Sequence, residues 1–370
     1  MFSNLRSLIF KIDPERAHFL AIQSLKLNLV SNIFDEHKND PIFKTKIFKK
    51  ELNNPIGIAA GFDKNAEVYN PLFKLGFGFV EVGTVTPKSQ YGNEKPRVFR
   101  LEEDKALINR LGFNNSGAEK IYSRIASNKP NGLLGINIGP NKNSENRLED
   151  YIICVRKFYN IADYLTINIS SPNTENLRDY HNHKQLNELL ESINNEKNNL
   201  NSKTPIAVKV FPDIDDENIE KISENLIKHN VELIIVSNTT DSNRKNLINI
   251  NKLEKGGLSG KPLENLSNLI INKFYKKLNN KVKIVGVGGV DSGKSAYEKI
   301  INGASLIQLY TGMVYQGPDI VNKITGELID ILKSNGFENI SAAIGTKNWT
   351  WLDITESLYN HKFLCLRNVN

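Results

Sequence analysis

Only two cysteines, Cys154 and Cys365, stand in 370 residues. They cannot supply a four-thiolate iron–sulfur cluster or zinc site, nor a disulfide framework, and a reducing cytoplasmic setting fits them best. Cys154 falls in an apolar helical stretch over 151–159, where a thiol is expected to be buried and inert. No stretch has the apolar length that a bilayer span requires. No small-residue cleavage pattern follows the N-terminus, and Asp13 and Glu15 come early for a transit peptide, so a leader is not expected. A glycine-rich turn after the first apolar strand is also missing, which counts against an open dinucleotide-binding sheet.

What is present describes a folded chain. A hydrophobic fraction of 39% with 24% charged residues suits a large buried core. The net charge of +7 is compatible with nucleic acid, an anionic membrane or acidic small molecules, and selects none of them. Free use of Asn and Lys, as at Asn194, Asn195, Lys197, Asn198 and Asn199, reads as compositional bias that inflates the basic count.

Short apolar, β-branched runs recur at 55–61, 78–84, 133–139, 164–170, 205–210, 232–238, 283–288 and 305–310, with helical periodicity between them. Eight such runs, apolar nearly throughout, predict parallel strands closed into an α/β (β/α)8 barrel over residues 46–336. Polar or glycine residues follow the runs, and in a parallel barrel those ends converge on the ligand-binding face. Before the barrel, residues 1–45 predict two helices, the second started by Asp13-Pro14 and carrying Ala17, Leu20, Ala21, Ser24 and Leu25 on one side. The first places Phe2, Leu5, Leu8 and Ile9 beside Arg6 and Lys11, a pattern suited to an anionic interface. An insertion over 87–131 predicts a small hairpin above the active face. The tail, 337–370, suggests no role.

Gly286-Val287-Gly288-Gly289 ends the seventh run and Tyr310-Thr311-Gly312 the eighth, where barrels hold phosphate; a mononucleotide such as FMN fits one such site. Lys209 lies inside an apolar strand and needs an anion, which the pyrimidine edge of a reduced flavin would supply. Lys64 stands at a loop start. Asn109, Asn137, Asn168, Asn173 and Asn238 gather at strand ends or adjoining loops, and an amide offers both the donor and the acceptor that a pyrimidine edge requires.

The stretch Asn168-Ile169-Ser170-Ser171-Pro172-Asn173-Thr174, together with Asn109-Arg110-Leu111-Gly112-Phe113-Asn114-Asn115, Gly83-Thr84-Val85-Thr86-Pro87, Gly257-Leu258-Ser259-Gly260-Lys261-Pro262-Leu263 and the two glycine motifs, resembles the motifs of dihydroorotate dehydrogenases, in order across roughly residues 10 to 330. In that family the soluble class has cysteine where Ser171 stands, so the resemblance is to the membrane-associated, quinone-reducing class. It implies FMN contacts from Ala60, Gly61, Lys64, Thr84, Asn137, Asn168, Lys209, Ser237, Gly260, Gly289, Tyr310 and Thr311. It implies orotate contacts from Lys64, Asn109, Arg110, Leu111, Gly112, Phe113, Asn168, Asn173, Asn238 and Thr239, with His18, Arg100 and Tyr310 near a quinone head.

Ser171 is then the expected base, aided by water and the Thr174 hydroxyl because a serine is weak alone, with activity rising toward alkaline pH. The implied reaction oxidises dihydroorotate to orotate in pyrimidine biosynthesis, hydride passing to flavin and electrons to a membrane quinone. The implied setting is the cytoplasmic side of a bacterial inner membrane, held peripherally at an anionic surface, as a monomer without nucleic acid. A soluble enzyme using fumarate or NAD is opposed by Ser171 and the N-terminal helices. A tRNA dihydrouridine synthase would want a catalytic cysteine and an RNA-binding domain, and neither is visible. A barrel that merely holds FMN or an acid is the non-enzymatic alternative.

Overall fold

The computed structural model describes residues 2–29, 40–48, 50–173, 177–242 and 244–348. Its centre is a closed barrel of eight parallel strands: β1 (Ile56–Ile58), β2 (Phe79–Val85), β3 (Leu133–Ile138), β4 (Tyr164–Asn168), β5 (Ile206–Val210), β6 (Leu233–Val236), β7 (Lys283–Val287) and β8 (Leu306–Leu309). Each coincides with one of the eight apolar runs, β2 running one residue past its own, and β8 pairs with β1 through Ile307 and Ile56 to complete the ring. The strands are buried on both faces, inside by packed side chains and outside by helices, which is why they lack polar alternation.

The barrel floor is apolar. A short antiparallel hairpin, Thr45–Ile47 with Lys50–Leu52, sets Ile47 and Leu52 against Phe79, Leu133, Tyr164, Leu233 and Leu306. This packing closes the bottom, and the open end lies where the strands finish. There the β2–β3 register shifts between Val82 and Val85, an irregularity that re-aims Gly83 and Thr84 toward the mouth.

The 87–131 insertion does form a hairpin, Val98–Leu101 with Ala106–Asn109. A third strand, Gly257–Gly260, joins it from far along the chain, making an antiparallel sheet that roofs part of the mouth. Beside this roof lie α1 (Phe2–Ile9) and α2 (Pro14–Lys26). Asp13 caps α2 by accepting from the Glu15 and Arg16 N–H groups at 3.0 and 2.9 Å, with Pro14 opening the helix. Ile22 and Leu25 enter the main core, whereas Leu8, Phe19, Leu20, Leu27 and Leu29 stay exposed. The side chains of Phe2 and Leu5 lie outside the described set. Among the described residues no helix is long and apolar enough to cross a membrane. Of the tail, Ile340 and Ala343 pack into the core; residues from 349 lie outside the described set.

Candidate active site

The strand ends open into a cavity of about 1160 Å3, its mouth included. Ala60, Gly61 and Lys64 enter it after β1, Thr84 from β2, Asn168, Ser171 and Asn173 at and after β4, and Lys209 from β5. Ser237, Asn238 and Thr239 follow β6, Gly289 follows β7, and Tyr310 and Thr311 follow β8. The roof contributes Asn109, Leu111, Gly112 and Phe113 from its hairpin and Gly260 from the distant strand.

Two of the expected contacts stand elsewhere. Asn137 is fully buried one layer behind the wall, and Arg110 turns its guanidinium out to Glu254 at 2.7 Å and over the Phe99 ring. Thr174 lies outside the described residues.

The wall is held in register by its own hydrogen bonds. Asn168 Nδ2 donates to Thr84 Oγ1 at 3.0 Å and to Asn137 Oδ1 at 3.1 Å, while Thr84 Oγ1 donates to Asn137 Oδ1 at 2.7 Å. Ser170 Oγ donates to Asn168 Oδ1 at 2.8 Å and accepts from Asn238 Nδ2 at 2.9 Å. Asn137, Asn168 and Asn238 thus have their donor and acceptor ends assigned before a ligand arrives, which is the organisation a polar ring demands. Ser171 is 4% exposed, and its Oγ accepts from the Asn173 N–H at 3.2 Å.

Charge is concentrated on two lysines. Burial pushes Lys209 below the usual lysine range, opposed by the negative charge of Glu81. Burial also brings Lys64 down to about 8, with Glu15 opposing and Arg97 assisting. Glu81 is a site residue that the sequence reading passed over. It sits fully buried in β2, accepting from Asn137 Nδ2 at 2.8 Å, Tyr164 OH at 2.9 Å and Gln308 Nε2 at 3.0 Å. Its signal was the one that exposed Lys209: a lone charge in an apolar strand.

A second cavity, about 1620 Å3, lies between the barrel and the N-terminal helices. Ala17, Leu20, Ala21, Ser24 and Leu25, one side of α2, line it together with Ile9, Phe10, Met313 and Val314. His18, Arg100 and Tyr310 are polar points of its wall, alongside Glu15, Ser24 and Lys64. Arg100 donates to the Phe10 and Ile12 carbonyls at 3.1 and 2.7 Å, and His18 stacks on Tyr310 with ring centroids 6.4 Å apart. Burial holds His18 down at about 3, the Lys64 charge adding to the effect, and holds Tyr310 up at about 12. Lys64, Val98, Leu107, Leu111 and Tyr310 line both cavities, so one thin wall separates a polar chamber from an apolar passage.

Residues 42–332 match the profile of the dihydroorotate dehydrogenase family. The chain belongs to that family. Among its relatives, a dihydroorotate dehydrogenase (quinone) of Bartonella henselae is 44% identical over 341 residues, 91% of this chain and 93% of that one. The Agrobacterium fabrum enzyme of the same name is 42% identical, covering 92% and 94%. The dihydroorotate dehydrogenase of Eimeria tenella, solved in complex with ferulenol, superposes with a TM-score of 0.88 at 36% identity, covering 91% of this chain and 96% of that one. These relatives place the chain in the quinone-dependent branch of the dihydroorotate dehydrogenases, an enzyme family that works with a flavin. The resemblance read from the motifs, and the barrel it implied, are borne out.

Proposed function

We propose that this chain oxidises dihydroorotate to orotate with FMN as its flavin, Ser171 as the base, and a membrane quinone as the final acceptor. The observation that carries this reading is the shared wall: a polar, lysine-bearing chamber and an apolar passage meet at Lys64 and Tyr310.

The residues present fit FMN. At Gly289 φ is 77°, and a Cβ there would lie 2.5 Å from the Glu264 Cβ, so only glycine fits this turn after β7, and its uncovered backbone N–H is the kind of group a phosphate site uses. Gly260, with φ 95° and Lys105 O 2.4 Å from where a Cβ would sit, is restricted in the same way. Gly289, Tyr310 and Thr311 would hold the phosphate end, and Thr84, Asn168, Lys209 and Ser237 the ring, with Asn137 bracing Thr84 and Asn168 from behind. Once bound, the flavin supplies a ring that takes hydride and releases two electrons to the acceptor.

The chain's own residues do the rest. Lys64 and the Asn109, Asn173, Asn238 and Thr239 groups bind the carboxylate and amide edges of the substrate and fix its ring against the cofactor site. Ser171 Oγ takes the proton from the ring carbon beside the carbonyl while passing its own hydroxyl proton on to water. His18, Arg100 and Tyr310 face an acceptor entering through the apolar passage. The exposed Leu8, Phe19, Leu20, Leu27 and Leu29 support peripheral attachment to a membrane, and Arg6 and Lys11 beside Leu8 suit an anionic one. The described residues of one chain line both cavities, which is compatible with action as a monomer.

The deciding experiment is anaerobic bleaching of the flavin by dihydroorotate, followed by reoxidation with a quinone analogue, fumarate or NAD. Reoxidation by quinone alone is expected. No bleaching, or reoxidation by fumarate or NAD instead, overturns the reading.

A further inference from the structure

We propose that Glu81 is a positioning residue of the flavin pocket, supplying the counter-charge for Lys209 and orienting the Asn137 amide from the centre of the barrel. The inference rests on the FMN reading above and adds to it a residue that touches no ligand.

Glu81 is fully buried, and an isolated carboxylate in such a place is costly, so its partners define its role. All three hydrogen-bond partners are donors: the Asn137 amide, the Tyr164 hydroxyl and the Gln308 amide. Acceptor-only use of both oxygens is the pattern of a carboxylate. Because Asn137 Nδ2 is committed to Glu81, its Oδ1 must face Thr84 and Asn168, the two wall residues that donate to it. Glu81 therefore decides which way three successive polar groups point.

The second link is electrostatic. Lys209 stands on β5 at 5% exposure, opposite Asn168 in the β4–β5 register and so beside the Asn168–Asn137–Glu81 hydrogen-bond chain, and the negative charge that opposes the effect of burial on its ammonium is Glu81 on β2. The other titratable groups around this layer are Tyr164, pushed well up by burial and by Glu81, Tyr310 at about 12, and Lys64 at the mouth at about 8. Only Lys64 among these changes charge near neutral pH, so a pH profile must be read against a Lys209 variant.

The test is FMN affinity, measured by fluorescence titration of the apoprotein between about pH 6 and pH 9 in wild type, Glu81→Gln, and Glu81→Gln with Lys209→Met. The single variant should lose up to about tenfold more affinity than wild type as pH rises, because a Lys209 ammonium no longer opposed by Glu81 gives up its proton earlier. That added slope should vanish in the double variant. Glu81→Asp, which keeps the charge but shortens the reach to Asn137, should bind more weakly at every pH without acquiring the slope. The proposal is overturned if Glu81→Gln tracks wild type, if its slope survives Lys209→Met, or if Glu81→Asp acquires the same slope. A wild-type chain that takes up no FMN overturns the flavin reading beneath it, an outcome distinct from the other three.

Discussion

Glu15, on the first turn of α2, and Arg97, at the edge of the roof, form a two-pronged ion pair: Arg97 Nη2 donates to Glu15 Oε1 at 2.6 Å and Nε to Oε2 at 3.1 Å. Arg97 is 3% exposed and spends Nη1 on the Tyr91 and Asn93 carbonyls. The pair pins the N-terminal helices to the roof that both cavities share. Glu15→Ala leaves a buried guanidinium short of its charge partner, a change that costs about 3–5 kcal/mol when burial is complete and less here because Glu15 is 22% exposed. Quinone reduction should fall while dihydroorotate still bleaches the flavin. Equal loss of both half-reactions would show that the pair supports the barrel as a whole.

Ser171→Ala should retain FMN and bind orotate nearly as wild type, because the amide wall is formed without the hydroxyl. Flavin reduction should slow by about 10²- to 10⁴-fold, the range for removing a positioned base. Stopped-flow bleaching measures this directly, and unchanged kinetics would remove Ser171 from the role.

Lys64, brought down to about 8, predicts a pH dependence of orotate binding. Below that pH the ammonium is present to meet a carboxylate; above it the charge is lost and affinity should fall, by at most about tenfold per pH unit for one proton. The stability effect has the opposite direction. The folded chain sheds this proton before the unfolded chain, whose lysine titrates at 10.5, so Lys64 adds stability as pH rises from about 8 toward 10.5. Orotate titrations in wild type and Lys64→Met should differ in their slope above pH 8; identical slopes would place the effect elsewhere.

His18, held near 3, stays neutral throughout the working range. His18→Ala should raise the KM for quinone with little change in flavin reduction by dihydroorotate. Between about pH 5 and pH 8 that KM should show no inflection due to His18. An inflection near 6.5 that disappears in His18→Ala would contradict the burial assigned to the ring.

Deleting residues 1 to 40 should abolish quinone reduction and binding to anionic vesicles, while dihydroorotate still bleaches the flavin in the remaining barrel. Full quinone reduction by a folded, flavin-loaded truncation would reduce the helices to a cap.

The barrel was legible because parallel strands covered on both sides must be apolar throughout, and each β1–β8 left such a run. The roof was only half legible. Its hairpin is local, but Gly257–Gly260 stood out only as part of a family motif with Gly260 as a cofactor contact, since nothing nearby in sequence announces pairing with Ala106–Asn109. Lys209 stood out as a charge in an apolar strand, yet Glu81 carries the same mark and was absorbed into the run around it. Arg110 was grouped with its motif neighbours, although a hairpin end presents successive side chains to different faces, and its own turns outward to Glu254.

The roof also has a bearing on how the enzyme comes into being. Its strands at 98–101 and 106–109 are made early, but they pair with residues 257–260 only after β6 has been synthesised. Contacts so distant in sequence must wait for the intervening chain and carry an added chain-closure cost, so they form late. A growing chain shorter than 257 residues has a hairpin without its third strand and no Gly260 at the mouth. The cofactor pocket is consequently one of the last parts of the molecule to be finished, and premature termination anywhere before the seventh strand yields a protein with nothing to load.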